Sequence, residues 1–480
     1  MNKLLKLKDV HIFSIRGLNF LYQVDSLEIC RINTLARDIV DICIKTNVRE
    51  SVISQLVSKY ELSAIEKALD DLQEAGIFLK EGESQYKPFK PMQFEIESPV
   101  IGQIVLATVQ DCNLACKYCL ANHGIFFDQP ARMSFDVAKA SVEFLIRESK
   151  GKDSIRIIFL GGEPFLNFPL IEKTVIYAKE QANKFGKHVK FVTSTNGTVL
   201  NDNIIDFLIN HDFTVSISID GPPQIHDENR VYKSGAASYH RILPRVKKYL
   251  SRASNKIVAA TTLTPSHLDF ISILEHLYDI GFKQIRFVPA MPSAACESQE
   301  HIFYGESIAQ FKTAYTRLLE HEIDYFLDKK EIRLLNLFDL LRNFHLKWTT
   351  PFACGMGRFF VGIASNGDIY PCNLFTGLNE YRMGTVFKEF DQGKQLKYVQ
   401  NMLEVRKRCS QCWIRYSCQG GCLAFNVLSG HKTDILEEHC RNRLEMFEVG
   451  IWAYNKVKEL DTTSLMDQMF QAFIKKITHR

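Results

Sequence analysis

Apolar positions along residues 100–290 come in short bursts, separated by stretches in which they recur every three or four residues. The bursts at 104–109, 155–160, 189–194, 214–219, 257–263 and 285–288 predict six strands. Between them, 135–148, 170–185 and 268–280 predict helices. Near-continuous apolar strands joined by helices predict an α/β fold: a parallel sheet buried on both faces and closed, or partly closed, into a barrel. Such a sheet carries its chemistry at the C-terminal strand ends. Polar or glycine-rich motifs fall there three times: Gly161-Gly162-Glu163-Pro164, Thr195-Asn196-Gly197 and Ser218-Ile219-Asp220-Gly221. Taken singly, each reads as a turn. Their repetition at one end of successive strands favours function.

The flanks differ. Residues 20–29 suit a strand, and a helix from Thr34 places Leu35, Ile39, Ile42 and Cys43 on one face. Two more short helices are predicted at 52–60 and 64–75, stopped by Gly76 before an extended segment at 77–79. Residues 1–90 therefore read as a winged-helix-like module, and 82–99, with three prolines, as a linker into the barrel of residues 91–300. Residues 301–350 read as a helical bridge. Residues 351–445 are loop-rich, and a helix from about 441 to 460 enters a C-terminal stretch at 446–480.

A length of 480 residues suits several such units. Lys+Arg 59 against Asp+Glu 55 gives +4, which offers no bulk attraction to nucleic acid or membrane. Residues 1–17 lack the apolar core of a signal peptide, and no apolar run reaches the ~18 residues of a membrane span. The expectation is a cytoplasmic protein with reduced thiols. The count that changes the picture is 13 cysteines. Cys112, Cys116 and Cys119 form one group. Cys354, Cys372, Cys409, Cys412, Cys418, Cys422 and Cys440 form another. Cys30, Cys43 and Cys296 stand apart and default to packing. Clustered cytosolic cysteines bind metal or do redox chemistry more often than they form disulfides, and bound metal can supply folding energy to a segment with little core.

Cys112-x3-Cys116-x2-Cys119 directly follows the first barrel strand. A tight loop of this spacing can wrap three thiolates around an iron–sulfur cube and leave one of four irons without a protein ligand. Zinc, with His123 as fourth ligand, is the alternative. The segment Cys112-Asn113-Leu114-Ala115-Cys116-Lys117-Tyr118-Cys119 resembles the radical S-adenosylmethionine (SAM) superfamily. The likeness extends through Gly161-Gly162-Glu163-Pro164, Ser218-Ile219-Asp220-Gly221 and His226-Asp227…Arg230. It implies a partial (β/α)6 TIM-like barrel in which the open iron chelates the methionine part of SAM. It also implies that Tyr118 packs near the adenine and that Gly161, Gly162 and Glu163 receive the amino group, chiefly through backbone. Ser218 would reach the ribose or carboxylate, Arg230 the carboxylate, and the strand around Val288 the adenine, with Asn196 and Asp220 as further cofactor contacts. For Arg230 alone, a surface salt bridge is the plain alternative. The implied chemistry is homolysis of SAM to a 5′-deoxyadenosyl radical that takes hydrogen from a substrate inside a shielding barrel.

The second group reads Cys354-x17-Cys372, Cys409-x2-Cys412-x5-Cys418-x3-Cys422, then Cys440, with Gly367 five residues before Cys372. This resembles the seven-cysteine SPASM domain with two auxiliary 4Fe–4S clusters, which makes three clusters in all. By position, Cys354, Cys372 and Cys422 would hold the first, and Cys409, Cys412, Cys418 and Cys440 the second. The first then lacks a fourth cysteine; Cys296 is a remote candidate. An open iron that binds a substrate thiolate is expected there, with water or another side chain as the alternative closure. Two zinc sites would also fit the spacing in isolation.

Sulfatase-maturing relatives carry an Asp base after the cysteine matching Cys372. This chain has Asn373, and an amide does not take a proton near neutral pH; no catalytic base is assigned. The segments around Cys372, 381–386 and 412–422 resemble maturases of ribosomally made peptides, including thioether-forming enzymes acting on six-cysteine peptides and on the quinohemoprotein amine dehydrogenase small subunit. The first 90 residues resemble the small PqqD-like peptide-recognition domain fused to such enzymes, which takes a leader peptide as an added strand. Acids outnumber bases across 48–80, which disfavours a DNA-binding winged helix. The expectation is an enzyme forming sulfur-to-carbon thioether cross-links in a leader-bearing peptide or small protein, reduced by a flavodoxin or ferredoxin. The alternatives are carbon–carbon cross-linking, sulfatase-type Cys or Ser oxidation, and a zinc-binding regulator.

Overall fold

The computed structural model describes residues 4–80, 82–83, 99–126, 128–291, 299–349, 354–388, 390–418, 420–429, 437–460, 464, 466–468 and 470. The expected linker at 82–99 lies almost wholly outside these residues, as does Cys296.

The N-terminal unit is an antiparallel sheet of β1 (Val10–Ile15), β2 (Leu18–Gln23) and β3 (Glu28–Ile32), followed by α1 (Thr34–Cys43), α2 (Arg49–Leu56) and α3 (Leu62–Glu74). The single strand expected over 20–29 is in fact the end of β2, a turn and the start of β3. Leu27 takes the left-handed conformation there, at φ 59°. One face of the sheet and the helices bury Leu21, Ile39, Val52, Ile65 and Leu69 in a core of their own. The other face sends Phe13, Ile15, Phe20 and Tyr22 into the core of the main body. Cys43 is buried in the N-terminal core, as its helical face required.

The main body follows the expected alternation closely. It runs β4 (Gln103–Val109), α4 (Phe135–Glu148), β5 (Ser154–Gly161), α5 (Phe168–Lys184), β6 (His188–Thr195), α6 (Asp202–Asn210), β7 (Thr214–Ser218), α7 (Pro223–Asn229), α8 (Tyr239–Ala253), β8 (Ile257–Leu263), α9 (Phe270–Ile280) and β9 (Gln284–Pro289). Side-chain caps start several of these helices: Ser134 accepts from the Val137 amide, Asn201 from Ile204 and Asp269 from Ser272. Strands β4 to β9 are all parallel in sequence order. Only β4 is buried along its whole length; β5 and β8 alternate buried and half-buried residues. Burial on both faces therefore holds for β4 alone, because the inner face of the other strands lines a cavity.

Beyond the barrel come α10 (Glu306–Lys329), α11 (Leu335–His345), β10 (Phe360–Ile363), β11 (Ile369–Tyr370), α12 (Gln392–Val405), α13 (Arg415–Cys418), α14 (Leu423–Leu428) and α15 (Glu437–Glu459). The cysteine-rich segment is not a separate appendage. Strand β10 pairs in parallel with β4 and extends the sheet to eight strands, with β11 at its edge. Helix α15 begins four residues before the expected start, so Cys440 lies on it and a boundary at 446 would cut it. Among the described residues, no helix is long and apolar enough to cross a membrane.

Candidate functional site

The C-terminal strand ends surround a cavity of about 400 Å³. Leu160, Ser194, Ser218, Thr262 and Val288 reach it from five successive strands, β5 to β9. Leu160 follows the Phe159–Thr193 pair in step with Ser194, and Thr262 pairs directly with Val288. These residues form one layer of the barrel wall. Cys112, Cys116, Tyr118 and Cys119 close its mouth, with Gly161, Gly162, Asn196 and Arg230 around the rim.

Backbone contacts hold the cysteine loop in this shape. The Ala115 amide donates to Val231 O at 2.8 Å and the Lys117 amide to Asn229 O at 3.1 Å, which ties the loop to the end of α7. On the other side it packs against the glycine pair. A methyl group added at Gly162 would sit 2.1 Å from Asp111 O, and one at Gly161, where φ is 149°, would sit 2.1 Å from Val109 O. Two glycines let the end of β5 pass directly beneath the loop. The sulfurs receive donors suited to thiolates: Leu114 N to Cys112 Sγ at 3.4 Å, His123 N to Cys119 Sγ at 3.2 Å, and Asn196 Nδ2 to Cys112 Sγ at 3.6 Å. The Arg230 guanidinium stands 4.0 Å from Cys116 Sγ.

Seven of the nine residues expected to touch the cofactor line the cavity: Tyr118, Gly161, Gly162, Asn196, Ser218, Arg230 and Val288. Glu163 and Asp220 stand behind its wall instead, fully committed to neighbours. Glu163 accepts from Asn196 N (2.7 Å), Thr195 Oγ1 (2.8 Å) and Phe165 N (3.2 Å), so it anchors the end of β6 to the glycine turn. Burial pushes its carboxyl up to about 7 despite these donors. Asp220 accepts from Arg230 Nε at 2.9 Å, from Thr262 N at 3.0 Å and from the Tyr118 hydroxyl. It orients Arg230 over the Tyr118 ring, 5.3 Å from the centroid. Arg230 is thus buried and paired, not a surface ion pair. Burial lowers its pKa, but the facing Asp220 charge outweighs that and the guanidinium stays firmly charged. One residue, Ser238, escaped the sequence reading. His226 accepts from Asp220 N through Nδ1 (3.3 Å), and its other nitrogen meets Ser238 Oγ at 2.9 Å. Nothing in the motif spacing signals Ser238, which also donates to Arg230 O at 2.6 Å.

In the second cysteine group, the structure places some of the sulfurs near one another. Cys354, Cys372 and Cys422 interact electrostatically with one another, as do Cys412 and Cys418. Burial pushes Cys112 up to about 11 and Cys116 and Cys372 up to about 12. Thiols so placed become thiolates against a bound cation. A tetrahedral zinc at about 2.3 Å from each sulfur would draw its ligand atoms to within about 4 Å of one another. Among the described residues, the one group of candidate metal-ligand atoms within 4.8 Å of one another is Glu275, His321 and Glu322. Arg333 already ion-pairs with both of those carboxylates. Three cysteines of one loop beside a cavity suit an iron–sulfur cube with one open iron, and a 400 Å³ cavity suits a nucleoside-sized ligand.

Residues 106–277 match the model of the radical SAM superfamily. The chain is 26% identical to a cysteine-type anaerobic sulfatase-maturating enzyme of Clostridium perfringens, across 73% of this chain and 96% of that one. A solved structure of native anSMEcpe with AdoMet and the Cp18Cys peptide covers 75% of this chain and 99% of its own at TM-score 0.64 and 20% identity. Streptococcus suis SuiB bound to the precursor peptide SuiA covers 90% of this chain and 98% of its own, at TM-score 0.50 and 14% identity. Residues 106–277 thus carry a radical SAM domain, and the protein is an enzyme similar over most of its length to sulfatase-maturating enzymes.

Proposed function

We propose that this enzyme forms intramolecular thioether cross-links, cysteine sulfur to carbon, in a ribosomally made peptide recognised by its N-terminal unit. The observation that carries the reading is the adjacency of two three-cysteine sites. Phe425, three residues after Cys422, lines the cavity closed by Cys112, Cys116 and Cys119. A substrate sulfur held at the Cys354/Cys372/Cys422 site would therefore lie near the cavity in which the radical would form.

Cys112, Cys116 and Cys119 would hold a 4Fe–4S cluster, with SAM in the cavity beside it. Together these supply the 5′-deoxyadenosyl radical that removes a hydrogen atom from the substrate. The chain's own residues bind, orient and shield. Arg230 presents positive charge at the rim for a carboxylate, Ser218 and Thr262 offer hydroxyls from the wall, and Val288 gives an apolar surface. Cys354, Cys372 and Cys422 would hold the first auxiliary cluster, and Cys409, Cys412, Cys418 and Cys440 the second.

A peptide substrate has a route in. A second cavity of about 640 Å³ shares Val288, Pro289, Ala290 and Met291 with the first. Its walls include Phe344, Met446, Phe447 and Ile414. The relatives support a peptide: the matched structures carry Cp18Cys and the precursor SuiA.

Sulfatase-type oxidation of a Cys or Ser is the second reading, favoured by the names of the sequence relatives. Against it, Asn373 follows Cys372 and accepts from its thiol at 3.3 Å. An amide supplies no base there. Anaerobic turnover with SAM, a reductant and the peptide encoded beside the gene separates the two. Cross-linking removes two hydrogens per bond, retains the sulfur and consumes a free thiol. Sulfatase-type oxidation of cysteine expels the sulfur, and that outcome would replace the thioether reading.

A further inference from the structure

The Cys354/Cys372/Cys422 site has three thiols where an iron–sulfur cube offers four irons. Tyr398 packs beside it: its ring rests on Gly357, three residues after Cys354, and the Gly357 amide donates to the carbonyl of Pro371, next to Cys372. Tyr398 lies on α12 and is only 8% exposed. Its hydroxyl is buried and has no hydrogen-bond partner among the described residues. Yet it interacts electrostatically with the thiols of Cys372, Cys354 and Cys422 together. A buried phenol normally finds a partner, so an orphan calls for an explanation, an ion among them.

Packing sets the ring's position. A methyl group added at Gly357 would lie 2.8 Å from Tyr398 Cδ1, so a glycine is what lets the ring rest on that turn. One helical turn earlier, Gln395 Nε2 donates to Gly357 O at 2.8 Å and fastens α12 to the same turn. Phe375 and Tyr381 meet the ring edge-on, at 6.1 and 6.4 Å between centroids. The hydroxyl thus reaches all three sulfurs electrostatically while bonding to none.

We propose that the phenol oxygen of Tyr398 is the fourth ligand of the metal centre held by Cys354, Cys372 and Cys422. This rests on the iron–sulfur assignment of those cysteines and not on the thioether reaction. Oxygen is a harder donor than sulfur, so such a ligand would still yield to a substrate thiolate.

The test uses the full chain, loaded anaerobically with iron and sulfide, without SAM or peptide. Wild-type protein should show tyrosinate modes in its resonance Raman spectrum. Tyr398→Phe should lose them while iron stays at about 12 atoms per chain, since three cysteines still hold the cube. On mild ferricyanide oxidation, Tyr398→Phe should also lose one iron and give a 3Fe–4S electron paramagnetic resonance signal severalfold stronger than wild type. Tyr398→Cys, with a thiolate in the fourth place, should suppress that signal. Absence of tyrosinate modes from wild-type protein overturns the proposal regardless of how any variant folds. So does their persistence in Tyr398→Phe. A failed cross-linking assay leaves these readouts unaffected, so the two proposals fail separately.

Discussion

The indole of Trp413 lies flat on the imidazole of His11, ring centroids 3.7 Å apart and planes 8° from parallel. Trp413 belongs to the loop between Cys412 and Cys418, and His11 to the first strand of the N-terminal unit. Beside this stack, the buried Arg415 reaches Asp9 Oδ2 at 2.6 Å and Asp25 Oδ1 at 3.0 Å, and Tyr416 donates to Asp25 at 3.3 Å. The unit expected to recognise a peptide is therefore docked on a loop bounded by two expected cluster ligands. The double substitution Asp9→Asn, Asp25→Asn would leave the Arg415 charge buried and unpaired, a loss of about 3 kcal/mol. Amides of β1 and β2 should then exchange with deuterium faster, while those of β4 to β6 stay protected.

Gly162→Ala tests the glycine turn. The added methyl would press on the Asp111 carbonyl and on Cys112 Cβ, at 2.1 and 2.7 Å, and both belong to the cysteine loop. Neither is the free end of a flexible side chain, so the loop itself must move. Purified protein should carry about 8 iron atoms per chain rather than about 12, because only the auxiliary cysteines remain in place. Iron at the wild-type level would show that the loop tolerates the shift.

Arg230→Lys keeps a positive charge but loses the planar fork that spans Asp220, Cys116 and Thr262. SAM affinity should fall about tenfold or more, a cost of roughly 1.4 kcal/mol or above. Arg230→Leu should lose more, because Asp220 would then be buried without its partner. Equilibrium titration with SAM measures both.

The His226 imidazole is held down to about 4 by burial, against an ordinary value of 6.5. Its folded-state pKa lies below the unfolded one, so the unfolded chain binds more protons between those values. The contribution to stability is complete above pH 6.5 and is lost as pH falls towards 4. The full loss is on the order of 3 kcal/mol. Denaturation midpoints should therefore fall between pH 7 and pH 5 by more in wild type than in His226→Gln, which has no group titrating there.

Local pattern made most of the barrel legible. Strand β8 begins and ends at Ile257 and Leu263, and α4 at Phe135 and Glu148, as periodicity predicts. Strand and helix periods are properties of neighbouring residues, and here burial rewards them directly. The cysteine groups were legible for a similar reason: residues within one loop are already close along the chain. The hairpin at Val10–Gln23 was missed because its turn, at Arg16 and Gly17, lies where charged and apolar residues alternate without a break.

The chain alone determined the six parallel strands and the three-cysteine loop at the end of the first. What only the tertiary structure decided were relations across long stretches of chain. Strand β10 joins β4 some 250 residues earlier, Glu163 and Asp220 sit behind the cavity wall, and Arg415 meets Asp9 and Asp25. Sequence also marked the absent eighth auxiliary cysteine, but only the fold packs the Tyr398 ring on Gly357, between Cys354 and Cys372 in the chain. Local periodicity and spacing carry information over a few residues. Which side chain fills a distant vacancy depends on how the elements pack, and packing is settled by shape and burial over the whole molecule.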